Sequence, residues 1–275
     1  MTRPAEETIE GGGGRLFVRS WRPQTAARGV VAICHGFNAH SGHYQWAADQ
    51  FTAAGLAVYA LDLRGRGRSE GERFYVGTAD DYVDDLARLI SLAHAREPGL
   101  SIHLLGHSAG GVISALYALE HPGEIAGFIC EDFAYQVPAP DFALAVLKGV
   151  AHLAPHAGAF ALNNADFSRD PEHVKAMNED LLIAHEKQPF QTVAALVHAD
   201  ERLKKDFPRI TLPLLILHGA ADKATKPSGS KEFYANAGST DKTLKIYEGR
   251  YHDMLNDLGR EEVMGDIVGW ITARL

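Results

Sequence analysis

The chain has 275 residues, of which 46% are hydrophobic and 23% are charged, and its formal net charge at pH 7 is −8. This size and composition are typical of one large globular domain with room for an insertion. The acidic balance argues against nucleic acid as a partner, and no apolar run approaches the roughly 18 residues of a transmembrane segment. The N-terminus is polar and acidic, which predicts no secretion signal and a cytoplasmic location.

Short apolar runs alternate with helical patterns along the chain. Strands are predicted, in chain order, at residues 15–21, 29–34, 56–61, 101–105, 125–130, 213–218 and 242–247. Helices are predicted at about 43–54, 79–96 (with Thr78 as its N-cap), 109–120, 228–237 and 260–274. Several strand segments are nearly continuous in Val, Ile and Leu, as in parallel strands covered on both faces. The alternation predicts an α/β fold with a mostly parallel sheet flanked by helices.

One region interrupts this alternation, between the strand that ends near Cys130 and the next strong strand. Segments 142–154 and 173–187 have helical patterns, and no good strand is visible anywhere between Cys130 and Pro213. A structureless loop of this length is implausible in a compact domain. We therefore predict a helical cap at 134–205, inserted into a core formed by residues 1–133 and 206–275.

Some features have simple structural explanations. The glycines at 11–14 are predicted to form a turn, because no Lys-Ser/Thr pair follows them and the next segment is a strand. Cys34 and Cys130 lie in apolar, strand-like runs and are expected to be buried free thiols. The arginine-rich segment 63–73 is predicted to be a Gly-rich turn whose arginines pair with acids such as Asp62, Glu70 and Glu72.

Residues 106–110, Gly-His-Ser-Ala-Gly, match the G-x-S-x-G pattern of a nucleophile elbow. The segment directly follows a predicted strand and begins a predicted helix, which is the context that the elbow requires. The glycines permit a tight turn, and the strained serine then projects its hydroxyl at the carboxyl end of the sheet. Ser108 is therefore predicted to be a catalytic nucleophile.

A serine hydroxyl needs a general base to remove its proton, and the base needs an acid to orient it. In chains with this elbow, the acid and then the base follow the serine, on loops after later strands. Asp222 lies four residues beyond the strand at 213–218, and His252 lies just past the last strand. We predict that Asp222 is the acid and His252 the base. Asp132, at the end of an earlier strand, is the alternative acid, and Glu131 is a weaker one.

Three histidines, His35, His40 and His43, lie shortly after a predicted strand. Their spacings across a Gly-containing loop do not place them on one face, as the i, i+4 pair of a zinc-binding helix requires, so no metal is predicted. The backbone of this segment is the more informative feature. The N–H groups of Phe37 and Ala109 are predicted to form an oxyanion hole beside the serine.

Several of these segments together resemble the monoglyceride-lipase (lysophospholipase-like) branch of the α/β-hydrolases. They are HGFNAHSGHY, LDLRGRGRSEG, GHSAGG, FSRDPEHVKAMNEDLL, LILHGAADKAT and YEGRYHDMLND, and the resemblance runs from about residue 15 to the end of the chain. It implies an α/β-hydrolase fold and a cap that forms a largely apolar acyl tunnel. It also implies the same triad and oxyanion donors, namely Ser108, Asp222, His252, Phe37 and Ala109.

Two positions depart from the family pattern. Ala109 stands where members often have Met, which keeps the backbone donor and is expected to widen the pocket. Glu131 and Asp132 replace a common Ser-Pro pair. Two acids at this place are expected to alter the charge near the site, and with it the substrate preference.

The predicted function is hydrolysis of carboxylic esters through an acyl-enzyme, on monoacylglycerols or similar single-chain esters, without cofactor or metal. Acyl transfer by the same triad and hydrolysis of short-chain, non-lipid esters are the alternatives. A non-catalytic binding protein fits less well, because all three triad residues are present. Leu144 and Leu147 are candidates for binding the acyl chain, and the cap is the candidate for transient contact with a membrane surface. The sequence leaves the oligomeric state open.

Overall fold

An eight-stranded mixed sheet lies at the centre of the part of the chain that the structure describes, residues 2–138 and 140–275. The structure is a computed structural model. Strands in spatial order are β1 (Ala5–Gly11), β2 (Gly14–Trp21), β4 (Leu56–Leu61), β3 (Gly29–Cys34), β5 (Ile102–His107), β6 (Gly127–Glu131), β9 (Leu214–Gly219) and β10 (Lys242–Tyr247). Strand β2 is antiparallel to β1 and β4, and the other neighbours are parallel. The predicted mostly parallel sheet is confirmed.

Helices cover both faces of this sheet, which is why every residue of β3, β4, β5, β6 and β9 is buried. One face packs against α1 (Gln45–Ala53) and α8 (Arg260–Thr272). The other packs against helices that include α2 (Ala79–Arg96), α3 (Ala109–Glu120) and α7 (Pro227–Asn236). Thr78 caps α2 as predicted, in a capping box with Asp81.

The chain between β6 and β9 leaves the large sheet, and its described residues form three α-helices. They are α4 (Asp141–Leu153), α5 (Pro171–Glu179) and α6 (Phe190–Asp206). Two short strands, β7 (Gly158–Phe160) and β8 (Gln188–Pro189), pair antiparallel beside them. The expectation of an insertion without strands is therefore wrong in this detail. The cap boundaries at 134 and 205 stay a prediction.

The helix predicted at 173–187 ends early, at Glu179, because Asp180 turns the chain. One oxygen of the Asp180 carboxylate accepts the N–H of Leu182, two residues on, at 2.8 Å. The other oxygen contacts His40 and His43 at 2.8 and 2.9 Å. The helical pattern continues in the sequence, but contacts with a distant loop end the helix.

Strand β1 is a further element that the sequence pattern does not predict. It is an edge strand that pairs with β2 over its full length, from Ala5 opposite Ser20 to Gly11 opposite Gly14. Its side chains are exposed or only partly buried, so the alternation of apolar residues that predicts a strand is absent. The turn predicted at 11–14 is the hairpin connection between β1 and β2.

The arginine-rich segment after β4 is a turn whose arginines form ion pairs. The turn and the ion pairing were both predicted. Arg64 pairs with Asp85 of α2, Arg66 with Glu186 of the insertion and Arg68 with Glu6 of β1. The expected partners are wrong, because acids distant in sequence lie closer to these arginines. Instead, Glu70 pairs with Arg15, Glu72 with His156, and Asp62 accepts the N–H groups of Ser41 and Arg68.

Both cysteines are buried free thiols, as predicted. Burial raises the pKa of the Cys34 thiol to about 12, which disfavours the reactive thiolate. Within the described ranges, no helix has the length and hydropathy needed to cross a membrane.

Candidate active site

Ser108 stands at the sharp turn between β5 and α3. Its backbone has φ 56° and ψ −121°, a strained conformation whose cost is on the order of 1–3 kcal/mol for a residue other than glycine. The turn needs glycine at position 110, where a Cβ would collide with the carbonyl oxygen of Cys34. Local geometry is therefore that of the predicted elbow, with the serine at the carboxyl end of a central strand.

Two predicted residues lie in a hydrogen-bonded row with this serine. His252 Nε2 is 2.8 Å from Ser108 Oγ. His252 Nδ1 is 2.8 Å from Asp222 Oδ2. His252 follows β10 and Asp222 follows β9, so the ends of two adjacent parallel strands bring them together. His107 Nε2, 3.1 Å from the carbonyl oxygen of His252, donates a hydrogen bond that holds the histidine loop against β5.

The environment of Asp222 keeps its carboxylate charged. Burial alone would raise its pKa, but the charge of His252 and hydrogen bonds from His218, His252 and Thr225 outweigh burial and hold the pKa below its usual range. One carboxylate oxygen accepts the N–H groups of Ala224 and Thr225, and the Thr225 hydroxyl donates to the other at 2.6 Å. The sequence analysis did not identify His218 and Thr225 as partners of Asp222. Both lie within four positions of Asp222 in the chain, which could have indicated that they contact it.

The two predicted oxyanion donors lie beside Ser108. Ala109 is the first residue of α3, where N–H groups have no partner within the helix. Phe37 follows a loop that passes so close to the serine that a Cβ on Gly36 would lie 2.8 Å from Ser108 Cβ. Phe37 and Ala109 both line the cavity at Ser108, together with His252. Both residues therefore lie at the cavity wall beside the serine, and their role as oxyanion donors stays a prediction.

Glu131 and Asp132 are fully buried under the two loops that carry Asp222 and His252. Glu131 Oε1 accepts the N–H of Leu255 at 3.1 Å, and Asp132 Oδ1 accepts the N–H of Gly219 at 2.8 Å. Burial raises the pKa of both carboxyl groups well above the usual range, which favours their neutral forms. These acids hold the two loops through hydrogen bonds, and their effect on the substrate preference stays a prediction.

The three clustered histidines separate into two groups. His35 is buried; its Nδ1 donates to the carbonyl of Gly36 and its Nε2 accepts the N–H of Leu63, and burial lowers its pKa to about 3. His40 and His43 converge on Asp180, and the three ligand-type atoms lie within 4.8 Å of one another. The expectation that these histidines share no face is wrong for this pair.

Hydrogen bonds account for the position of His40 without an ion. Its Nδ1 accepts the N–H of Gly42 at 3.0 Å, so the proton of the neutral ring lies on Nε2, which faces Asp180 at 2.8 Å. A metal ion would need the lone pair of Nε2, which this tautomer does not offer. The contacts of His40 and His43 with Asp180 connect the loop that follows β3 to the insertion.

A cavity of about 1040 Å³ extends from Ser108 into the insertion. Its walls are mainly apolar, and both Leu144 and Leu147 of α4 line it. Residues of α6, including Val193 and Leu196, also line the cavity. This volume is at the upper end of the range for small-molecule sites.

Fold and site together define a serine hydrolase of the α/β-hydrolase class. The family model described as "Serine aminopeptidase, S33" (Hydrolase_4) matches residues 25–259. The chain belongs to this family, and the resemblance to its monoglyceride-lipase branch is confirmed.

Similar proteins carry related descriptions. A monoacylglycerol lipase of Mycolicibacterium smegmatis is 36% identical over 98% of this chain and 98% of its own length. The human monoglyceride lipase is 32% identical over 97% of this chain and 89% of its own. The crystal structure of a Paleococcus ferrophilus monoacylglycerol lipase superposes with a TM-score of 0.84 at 30% identity, covering 94% of this chain and 99% of that one. These relatives support an ester hydrolase.

Proposed function

We propose that the protein hydrolyses monoacylglycerols or similar single-chain esters through a Ser108–His252–Asp222 triad and an acyl-enzyme. The observation that carries this proposal is the row of two 2.8 Å hydrogen bonds joining the three side chains at the end of a mainly apolar cavity. Each member has the partner that its role requires, and no cofactor or metal enters the reaction.

In the first half-reaction, Ser108 Oγ attacks the ester carbonyl carbon and its proton moves to His252 Nε2. Asp222 stabilises the imidazolium through Nδ1–H and keeps this tautomer in place. Negative charge on the carbonyl oxygen is held by the N–H groups of Phe37 and Ala109, each worth about 3 kcal/mol in comparable sites. The bond from carbon to the alcohol oxygen then breaks, and His252 returns its proton to the leaving alcohol.

In the second half-reaction, water replaces the alcohol. His252 takes a proton from the water while the water oxygen attacks the carbonyl carbon of the acyl-enzyme. The ester bond to Ser108 Oγ breaks, and His252 returns the proton to the serine. The products are one carboxylic acid and the free enzyme.

The substrate class rests on the cavity and the relatives. A mainly apolar cavity of about 1040 Å³ beside the serine suits one alkyl chain, with Leu144 and Leu147 in contact with it. The M. smegmatis and human relatives are named as lipases of monoacylglycerols. Both observations favour single-chain lipid esters over short, non-lipid ones.

The exposed face of α4 is a candidate for transient contact with a lipid surface. Phe142, Val146 and Leu153 are 73%, 62% and 87% exposed and recur at helical spacing, away from the cavity. Replacing all three by serine should reduce co-sedimentation with phosphatidylcholine vesicles while hydrolysis of soluble esters continues. If the wild type and the triple serine variant sedimented equally with the vesicles, the proposed contact of α4 with a lipid surface would be refuted.

The test is a panel of 4-nitrophenyl esters and 1-monoacylglycerols from short to long chains, with Ser108→Ala as the control. Hydrolysis that is most efficient for monoacylglycerols supports the proposal. Preference for acetate would favour the short-chain esterase. Acyl transfer is separated by adding an alcohol: a transferase forms mainly the new ester, whereas a hydrolase forms mainly the acid.

A further inference from the structure

Strand β9 carries a fully buried histidine, His218, four residues before the predicted triad acid Asp222. Side chains alternate across a strand, so His218 lies on the same face as Leu214 and Ile216, which pack in the core with α7. The turn after β9 brings Asp222 back to this histidine, and His218 Nε2 is 3.2 Å from Asp222 Oδ2. A second imidazole therefore lies against the carboxylate that orients His252.

The contacts of the His218 ring determine which nitrogen carries its proton. Nδ1 is 2.7 Å from the hydroxyl oxygen of Ser230, a buried residue of α7. A carboxylate only accepts hydrogen bonds, so the nitrogen that faces Asp222 carries a proton. Burial lowers the pKa of His218, which favours the neutral ring. Nδ1 of this ring accepts the Ser230 hydroxyl proton, and Nε2–H faces Asp222.

Three donors meet at one oxygen of the Asp222 carboxylate. His252 Nδ1 and Thr225 Oγ1 lie 2.8 and 2.6 Å from Oδ2, the oxygen that His218 also faces. A carboxylate oxygen has about two lone-pair positions, so three donors compete for them. Each additional donor stabilises the charge of the carboxylate and weakens its attraction for the proton on His252.

Other ionisable groups near this carboxylate have partners elsewhere. Asp132 Oδ1 lies 3.9 Å from His218 Nε2 but accepts the N–H of Gly219. The charged or titratable side chains around His252 and the turn at Asp222 are His107, Glu131, Asp253 and Lys223, which contact the His252 carbonyl, the Leu255 N–H, His173 and the Tyr251 ring, respectively. Within the described ranges, none of these side chains donates a hydrogen bond to Asp222. His218 is thus the second imidazole that bears directly on the acid.

We propose that His218 is a positioning residue of the ester hydrolysis, whose Nε2–H competes with His252 for Asp222 and so keeps His252 free of a second proton down to lower pH. The inference rests on the proposed function and adds one residue to its machinery. His252 must offer an unprotonated Nε2 to Ser108, and a carboxylate that holds the imidazolium too strongly would reduce the fraction of enzyme in that state. His218 acts through Asp222 and does not touch the ester.

The test is the pH dependence of kcat/KM on a soluble ester for the wild type and His218→Leu. Loss of one donor leaves more negative charge facing His252. The midpoint of the acidic limb should therefore move to higher pH, by on the order of one pH unit. A histidine that only fills space would, when replaced, change activity or stability without moving this midpoint.

Two variants provide matched controls. His218→Gln keeps an N–H donor near the position of Nε2 and should retain most of the wild-type profile. His103→Leu removes another fully buried histidine, in the adjoining region of β5, whose ring nitrogens have no hydrogen-bond partner in the described part of the chain. It should leave the acidic limb at the wild-type pH even if stability changes.

Nuclear magnetic resonance of ¹⁵N-labelled histidines reads the same effect without turnover. In the substrate-free wild type, His218 should show the Nε2–H form, with its signals assigned by comparison with His218→Gln. The pH at which His252 gains its second proton should be higher in His218→Leu than in the wild type. If this difference were found in a protein that hydrolyses no ester, the proposed function alone would fail.

Three outcomes would overturn the inference. An Nδ1–H form of neutral His218 in the wild type would do so, even if His218→Leu did not fold. An acidic limb at the wild-type pH in a folded His218→Leu protein would have the same consequence. So would an equal shift in His218→Gln and His218→Leu, because the effect would then not depend on the donor.

Discussion

The carboxylate of Glu186, in the insertion, accepts the backbone N–H of Asn38 at 3.2 Å, one residue beyond the predicted oxyanion donor Phe37. The same oxygen pairs with Arg66, whose guanidinium lies 4.1 Å from the centre of the Phe37 ring. Both members of this ion pair are buried. The loop that presents the N–H of Phe37 is therefore held from two sides, by the insertion and by the arginine turn.

Replacing Glu186 by alanine should loosen this loop and leave Arg66 as an unpaired buried charge. We expect the free energy of unfolding to fall by about 3–5 kcal/mol, as for other broken buried pairs. We expect kcat to fall by about tenfold or more, with a smaller change in KM, because an oxyanion donor acts mainly in the transition state. Chemical denaturation and steady-state kinetics on a soluble ester measure the two effects.

The exposed pair Arg15–Glu70 provides the matched control for this prediction. Glu70→Ala should leave the free energy of unfolding nearly unchanged, because exposed ion pairs contribute little to stability. If Glu186→Ala behaved like Glu70→Ala in stability and kcat, the link between the insertion and the oxyanion loop would be refuted.

The identity of the triad acid can be tested by two isosteric substitutions. Asp222→Asn should reduce kcat by on the order of 10⁴, because the amide no longer holds His252 in the required tautomer. Asp132→Asn should have a far smaller effect. The raised pKa of Asp132 favours the neutral form, and an amide oxygen can still accept the N–H of Gly219. The reverse order of effects would make Asp132 the acid.

The role of α4 in binding the acyl chain can be tested by placing a charge on its inner face. Leu147→Asp should lower kcat/KM for long-chain esters more than for acetate, because each buried methylene contributes up to about 0.8 kcal/mol. For the wild type, kcat/KM should rise with chain length until the chain exceeds the cavity. Val146→Asp, on the exposed side of α4, is the control and should leave the profile for soluble esters unchanged. Equal slowing of all chain lengths by Leu147→Asp would exclude an acyl-binding wall.

The parts of the fold that the sequence could predict are those with local signals. Apolar runs identify the buried parallel strands, and the segment at 106–110 with its flanking strand and helix identifies the elbow at Ser108. Asp222 and His252 could be selected because parallel strands bring their carboxyl ends to one edge of the sheet. Strand β1 gives no such signal, since the side chains of an exposed edge strand need not be apolar.

The remaining features depend on pairs of residues that are distant in the chain. Nothing near Arg66 indicates that its partner is Glu186, and nothing near His40 indicates Asp180. The early end of α5 and the raised pKa of Asp200 likewise follow from what surrounds those residues after folding. Such contacts determine how the insertion packs on the rest of the chain, and they cannot be predicted from spacing along the sequence.

The most direct measurement is the rate of fatty-acid release from a long-chain 1-monoacylglycerol by the wild type and by Ser108→Ala. The 2.8 Å contact between Ser108 Oγ and His252 Nε2 makes this serine the nucleophile in our account. We predict efficient release by the wild type and a rate lower by on the order of 10⁶ for the variant. Substantial release by Ser108→Ala would contradict the account, and so would a wild type that releases no fatty acid.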